Sequence, residues 1–499
     1  MAQRLSITAA YQSLIRWNER VFDWIARNPI TFLLAVMLLG ALTRFIYLGA
    51  PSFYLDEAFS VFHGQKRLGL LLESVAKDTN PPLHFILLKY WMELTGKSEV
   101  STRLLSALFS IASIPMIFVI GRRFFNLRIG ALAAVFLAVS DIHVVYSGEA
   151  RTYTLVSFLV LVSTYFFLAL CESGKWKHAI GLGITNTLLI HAHYGVYIFF
   201  LIQLLAVFIL AGKRWTVLRG YFASQVGAVL LFLPWLIYWT QHFVKPKDWA
   251  SPPDQDMFYY VVLRFAGLEW ILYFQTAVLA LGLVIGLVQL LRKRLEQPVR
   301  WAFLWLWGGV SLVLAFWLSH WVLPVFQPNY LMYASLGLIL LVAWTWDAIP
   351  FLKNVSAFTA AILCFFLLQD LHFNYGKPFA WRSAVSTVKL LDTPETLKIY
   401  LYNFNEPIFA YYYDRNAFVN YRHTAEMLTA AHAHGVNAVE DLAQFHPGEY
   451  NRVIFSHLRT DRPDLTAAVQ GQLEGIFGKP QTYGDWEMTV DLYERDSLR

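Results

Sequence analysis

The sequence predicts a polytopic α-helical membrane protein, with about eleven transmembrane helices and a small C-terminal extracytoplasmic α/β domain. Three observations lead there. Of 499 residues, 57% are hydrophobic and only 15% charged, where a soluble domain carries about 45–50% and about 25%. Apolar runs of spanning length recur from Pro29 to about Leu371, and none follow. Trp and Tyr gather at the ends of these runs, where amphipathic rings favour the headgroup region.

The first segment places Leu14, Trp17, Val21, Trp24 and Ile25 near one helical face, interleaved with Arg16, Arg20 and Arg27. The run that follows is longer than a signal-peptide core, so the segment reads as an interfacial helix entering an uncleaved first span. Spans are expected near 29–49, 100–121, 129–141, 152–171, 178–194, 196–212, 220–240, 270–291, 301–320, 329–347 and 353–371. Basic groups then fall on alternate loops: Arg16, Arg20 and Arg27; Arg122, Arg123 and Arg128; Lys175 and Lys177; Lys213, Arg214 and Arg219; and Arg292, Lys293, Arg294 and Arg300. The positive-inside rule makes that side cytoplasmic. Lys245 and Lys247 fall outside, in a longer loop of mixed charge. The stretch 81–95 is short for a span and carries His84, Lys89 and Glu93, so it reads as a helix along the outer surface. An odd span count puts the tail outside as well.

This gives a membrane domain over 1–373, with an extracytoplasmic loop at 50–99, and a soluble domain over 374–499. In the tail, 397–402, 452–456 and 488–493 read as strands; 383–391, 425–433 and 465–476 read as helices. No GxGxxG or phosphate-binding loop occurs. Cys171 and Cys364 lie in or beside apolar runs, so no disulfide or cysteine metal site is indicated. The net charge of +6 resides in short loops between spans and is no nucleic-acid signal. The lipid bilayer is the expected environment, with a multi-pass location in the inner (cytoplasmic) membrane.

The outer face collects the chemistry-bearing residues. Asp56 and Glu57 follow the first span, and Asp78, Asn80, Pro81, Pro82 and His84 complete that loop. Glu149, Arg151 and Tyr153 follow the third span, His191, His193 and Tyr194 the fifth, and Asn329 and Tyr330 the ninth. Arg44 and Arg103 sit near the outer ends of their spans. Ionisable groups at this depth are costly, and are usually paired or functional. Each also has a plainer reading. Asp56 and Glu57 suit the first turn of any helix. Glu149 and Arg151 can satisfy each other. His191 and His193, two apart, do not share a helical face, and a histidine at a helix end commonly bonds a carbonyl or a headgroup. Pro81-Pro82 is a helix start, and Asn329-Tyr330 a loop-to-helix junction.

Taken in order, Asp56-Glu57, Pro81-Pro82-Leu83, Ser98-Glu99 with Arg103, Glu149-Ala150-Arg151-Thr152-Tyr153, His193-Tyr194 and Trp381-Arg382-Ser383-Ala384 resemble the GT-C glycosyltransferases that use polyprenyl-phosphate sugars. The nearest group is the bacterial relatives of protein O-mannosyltransferases and the aminoarabinose transferase of lipid A. The resemblance covers most of the chain and implies transfer of a sugar from a polyprenyl-phosphate donor to an acceptor hydroxyl, with inversion. It gives Asp56 the role of catalytic base, with Glu57 in support. It puts Arg151 at the donor phosphate, with Arg44, Tyr153 and Tyr330 alongside. Glu149, Asp78, Asn80, His84, His193, Tyr194 and Asn329 complete the substrate site. A divalent metal stays open, with His193 and Asp78 as candidate ligands.

Two departures matter. Asn329 stands where many relatives carry arginine, and Thr79-Asn80 where the aminoarabinose transferases carry Glu-Lys; the second weakens both a metal site and a lipid A acceptor. A transporter or flippase of a lipid-linked glycan also fits many spans, but its site belongs near the midplane. A glycan polymerase or ligase would share the donor. The candidate acceptors are a glycan, a lipid and a protein.

Overall fold

The computed structural model describes residues 2–244, 252–295, 297–321, 325–372, 380–458, 463–484 and 487–495. Lys245, Lys247 and the start of the tail at Asn374 lie outside these. The chain forms two units. One comprises Met1–Ile46, Leu72–His84 and Arg103–Phe373, the other Tyr47–Leu71, Phe85–Thr102 and Asn374–Arg499.

The first unit is helical, and a helix occurs at every predicted span. Among the described residues, eight helices are long and apolar enough to cross a bilayer alone, or up to 10 if each of two bent pairs counts as one crossing. The expectation from the sequence is about eleven spans. Helix Trp176–Ala192, with 17 residues, is shorter than any of the eight. One bent pair joins Ala10–Arg27 to Pro29–Phe45 at 103°. The break falls where Pro29, lacking an N–H, starts a new helix. The predicted face of the first helix splits. Asn18, Phe22 and Ile25 turn inward, while Trp17 and Trp24 stay exposed. Asn18 clamps the helix Pro350–Gln369, donating to the Lys353 carbonyl (3.1 Å) and accepting from the Ala357 N–H (2.9 Å).

Basic groups from separate loops meet. Glu172 takes Arg300 at 2.5 Å and Arg123 at 3.6 Å, and its carbonyl accepts from Arg214 at 3.3 Å. Asp347 takes Arg128 at 3.6 Å and Lys353 at 3.4 Å. Three of the predicted basic loops therefore share one end of this unit. The turn between Glu99–Phe124 and Leu127–Ala138 is tight: a Cβ on Gly121 would lie 2.5 Å from the Gly130 Cα. Small residues let helix backbones approach this closely.

Inside the bundle, water cannot satisfy polar groups, so they satisfy one another. Ser163 donates to Asn186 Oδ1 (2.6 Å) and accepts from Gln203 (2.8 Å). Asn186 donates in turn to Gln203 Oε1 (3.1 Å) and Gln225 Oε1 (3.2 Å). Four helices are joined by this amide cluster.

The second unit is built on a five-stranded sheet. Its strands are β1 (Thr396–Leu401), β2 (Ala433–Val436), β3 (Arg452–Leu458), β4 (Gln481–Gly484) and β5 (Met488–Glu494), in the order β2-β1-β3-β5-β4. β1 pairs in parallel with β2 and β3; β5 runs antiparallel between β3 and β4. Leu397, Ile399, Val453, Phe455 and Tyr493 face Val469, Leu473 and Phe477 of helix Pro463–Phe477 in its core. β1, β3 and β5 lie where strands were expected. β2 and β4 were not foreseen, and the helix expected over 425–433 ends at Ala430, because Ala433 already opens β2. The loop segments Tyr47–Leu71 and Phe85–Thr102 pack with this tail. Gln65 donates to the Phe418 carbonyl at 2.6 Å, and the Phe62 and Phe418 rings lie 5.6 Å apart.

Replacing Asn186 with leucine strands the Gln203 and Gln225 carbonyl oxygens among apolar helices. The expected cost is about 1–2 kcal/mol, seen as a lower unfolding temperature of Asn186→Leu in detergent with no change in donor affinity.

Candidate active site

The segment before helix Tyr153–Ser173 is held on every side by its first-unit neighbours. His84 Nε2 lies 3.2 Å from the Ala150 carbonyl, Ser106 donates to the Arg151 carbonyl at 3.0 Å, and Thr152 donates to the Ala192 carbonyl at 2.9 Å. The Arg151 N–H closes a tight turn onto the Glu149 carbonyl at 2.7 Å. Three helices thus fix where the Arg151 side chain starts. Glu149 and Arg151 are both buried. The Arg151 guanidinium sits 5.7 Å from the centre of the Tyr153 ring, an attractive cation–π arrangement.

Tyr153 belongs to an aromatic group. It meets Tyr146 edge-on at 5.3 Å, and both Tyr330 and His193 at 6.2 Å; His193 and Tyr330 lie 4.8 Å apart. His193 Nδ1 accepts the Gly195 N–H at 3.0 Å. An accepting Nδ1 bears no proton, so the ring is neutral and its hydrogen is on Nε2. Asn329 and Tyr330 occupy the first turn of helix Pro328–Ala348, both half-buried.

A residue not foreseen joins them. Arg264, on helix Gln255–Ala266, lies 4.8 Å from the Tyr260 ring. Arg264 and Glu149 are both within electrostatic range of the Tyr146 hydroxyl. The available signal was a lone arginine in the apolar stretch 257–266, overlooked because that stretch falls between two predicted spans.

Asp78, Asn80 and Tyr194 form a neighbouring set in the same unit. Asp78 accepts from Asn80 (2.8 Å) and Thr79 (3.3 Å), and its carbonyl accepts from Trp239 (3.0 Å). The Trp239 ring lies 5.4 Å from Tyr194, whose hydroxyl accepts from Trp235 at 2.9 Å.

The Arg44 guanidinium donates to Ser110 (2.8 Å), Thr43 (3.1 Å) and the carbonyls of Gly40 (3.1 Å), Leu137 (3.1 Å) and Ala138 (2.8 Å). Helix Leu127–Ala138 ends at those last two carbonyls, and helix ends leave acceptors open. Arg44 thus bridges helix Pro29–Phe45 to the end of helix Leu127–Ala138, with its donors directed into protein.

In the second unit, Asp56 and Glu57 open helix Leu55–Gly64. Glu57 is fully buried and takes the Tyr54 N–H at 3.4 Å; Asp56 is half-buried, with the Tyr54 hydroxyl 3.4 Å from Oδ2. Of the two carboxylates, Asp56 is the more exposed.

The expected metal ligands do not assemble. Among the described residues, no three His, Cys, Asp or Glu side chains gather as a group that could hold a metal ion. Asp78 spends both oxygens on Thr79 and Asn80, and His193 Nδ1 is taken by Gly195.

Residues 79–239 match the family model described as dolichyl-phosphate-mannose-protein mannosyltransferase. The fold is similar to that of ArnT from Cupriavidus metallidurans bound to undecaprenyl phosphate, with a TM-score of 0.59 at 13% identity over 94% of this chain and 98% of that one. The apo form of ArnT gives a TM-score of 0.58 over the same shares. The Archaeoglobus fulgidus oligosaccharyltransferase AglB, in complex with an inhibitory peptide and a dolichol-phosphate, matches with a TM-score of 0.56 at 12% identity, over 87% and 70%. No curated protein matches the sequence. At these identities the likeness establishes the fold, which is the GT-C fold with a small C-terminal sheet domain.

Burial, then the nearby Arg151 charge, pushes the His84 imidazole from its ordinary 6.5 down to about 3. The unfolded chain therefore takes up this proton first as pH falls. The stability that neutral His84 contributes is full above about 6.5 and is lost between there and about 3. His84→Gln, which keeps a donor for Ala150, is expected to show a shallower fall in unfolding temperature between pH 7 and pH 5 than the unaltered protein. Parallel curves would exclude this titration.

Proposed function

We propose that this GT-C-fold chain is a membrane glycosyltransferase that moves a sugar from a polyprenyl-phosphate donor to an acceptor hydroxyl. One observation carries the reading. Arg151 and Arg264 stand around the Tyr146–Tyr153 pair, and helix Gln255–Ala266, which bears Arg264, also lines an apolar cavity of about 530 Å³. Phe258, Val262, Ala266, Leu338 and Leu363 face that cavity. A lipid-linked sugar phosphate needs this combination: cations for its headgroup and an apolar space for its tail.

In this reading, Asp56 takes the proton of the acceptor hydroxyl as its oxygen attacks the anomeric carbon. The bond from that carbon to the phosphate oxygen breaks, and the electron pair leaves with the phosphate. Arg151, with Arg264, meets the growing negative charge through charge-assisted bonds. Direct displacement inverts the anomeric centre. The reacting carbon passes through an oxocarbenium-like state. The family model and the archaeal neighbour are both named as transferases, which favours transfer over flipping.

The reading places the protein in the inner membrane, with the base and the tail extracytoplasmic. The convergence of Arg123, Arg214 and Arg300 on Glu172 supports one basic, cytoplasmic end. A reporter fused after Arg499 is expected to read outside, and a cysteine placed at Gln297 to be shielded from an impermeant thiol reagent applied outside. A cytoplasmic C-terminus would overturn this orientation.

The assay is release of the sugar from a labelled polyprenyl-phosphate donor in detergent, where a flippase does nothing visible. Asp56→Asn is expected to lower turnover by about 10²–10⁴-fold, with donor binding kept; retained activity would remove Asp56 from the mechanism. Arg151→Ala is expected to raise the donor constant. Arg151→Lys should restore it only in part, since lysine offers a point charge in place of a two-pronged grip. Arg44→Met serves as the contrast: it should lower stability and leave donor affinity unchanged in the folded fraction. Equal donor affinity in Arg151→Ala and the unaltered protein would sink the phosphate role.

A further inference from the structure

Within the second unit, the backbone that leads to Asp56 is held by side chains of the C-terminal tail. Arg382, on helix Trp381–Leu391, donates to three successive carbonyls: Gly49 (3.3 Å), Ala50 (3.2 Å) and Pro51 (3.3 Å). The same guanidinium bonds Glu99 Oε1 at 2.8 Å. Tyr412, on helix Glu406–Tyr413, takes the Phe53 N–H at 2.6 Å and donates to the same Glu99 oxygen at 2.8 Å. Phe53 is fully buried, its ring 4.8 Å from Tyr411. Farther along, the Tyr421 hydroxyl takes the Arg67 N–H at 3.4 Å, and Lys97 donates to Gln65 Oε1 at 3.2 Å. Helix Leu55–Gly64 is therefore anchored to the tail unit before its first residue and after its last.

We infer that Arg382, Tyr412 and Glu99 are positioning residues for the proposed base, so that the sheet domain acts in catalysis by fixing where the Asp56 carboxylate stands. This rests on the function proposed above. Its physical basis is distance: Asp56 follows Phe53 by three residues, too few to absorb a shift at Phe53. An error of about 1 Å in a reacting group can cost about 10²-fold in rate. Glu99 is the keystone, because one carboxylate oxygen serves both Arg382 and Tyr412. A neutral amide there would weaken both bonds, since charge-assisted bonds are roughly twice as strong as neutral ones.

The test compares Tyr412→Phe and Arg382→Lys with the unaltered protein in the donor assay, with amide hydrogen exchange measured on the same samples. Tyr412→Phe keeps the ring and removes only the bridging hydroxyl. It is expected to lower kcat by about 10- to 100-fold with donor KM unchanged, and to speed exchange across 53–58 but not in helix Tyr153–Ser173. Arg382→Lys should lose less than Arg382→Ala. In an Asp56→Asn background, Tyr412→Phe should cost nothing more, because a base that is absent cannot be misplaced. Three results would overturn the inference: the same loss in both backgrounds, unchanged exchange at 53–58, or faster exchange with undiminished kcat. An active Asp56→Asn would instead overturn the base assignment itself.

Discussion

A polar group inside a bilayer has no water to turn to, and the first unit is organised around that constraint. Arg44 ends a helix by giving its N–H groups to the Leu137 and Ala138 carbonyls. Asn186 joins four helices through amide and hydroxyl partners. Trp307 spends its indole N–H on the Tyr333 carbonyl where the span Pro298–Trp321 loosens into a π-helix at Trp305–Val310. The charged groups gathered around Tyr146 and Tyr153 (Glu149, Arg151 and Arg264) belong to the same interior. Their neighbours hold Arg151 by its backbone, through His84, Ser106 and the Thr152 hydroxyl.

How much of this could be read beforehand follows from what sequence pattern reports. Apolar run length reports depth, so every expected span has its helix. It does not report direction, which is why Arg44 and Arg151 looked alike: both are arginines near the end of a span, and only packing shows that the Arg44 donors turn onto the Leu137 and Ala138 carbonyls. Arg264 was missed because the stretch 257–266 is too short to be counted as a span and too apolar to draw notice as a loop. In the tail, β3 and β5 showed themselves as β-branched and aromatic runs. β2 is four residues with a histidine and a glycine, and β4 is exposed along its length, so neither carries an alternating pattern. The packing of Tyr47–Leu71 with the tail joins residues more than three hundred positions apart, beyond the reach of any local pattern.

The departures from the family pattern have a partial physical answer. With Asn329 in place of arginine, the first turn of helix Pro328–Ala348 brings an amide and no cation. In the proposed site, a positive charge comes instead from Arg264 on helix Gln255–Ala266. Thr79 and Asn80, in place of a Glu-Lys pair, turn inward on Asp78 and leave its carboxylate bonded to neutral donors. An acidic cluster suited to a cation is therefore missing at that loop among the described residues, in keeping with the absence there of a metal-holding group.

The two carboxylates after the first span show what the C-terminal sheet domain contributes to its own unit. A general base must sit within hydrogen-bond reach of a moving proton, yet a loop of about 25 residues cannot bury enough apolar surface to hold a fixed shape by itself. The loop borrows rigidity from a larger core. Leu397, Val453, Phe455 and Tyr493 make that core in the sheet, and helices Trp381–Leu391 and Glu406–Tyr413 carry its order out to Arg382 and Tyr412. Glu57, fully buried, seats the helix start by taking the Tyr54 N–H, while Asp56, one residue earlier, keeps an accessible face. Adjacent residues on a helix point about 100° apart, so burying one carboxylate as an anchor presents the other. The order Asp-Glu at the head of a helix thereby sets the two carboxylates apart, one oxygen pair buried at the turn and the other more exposed.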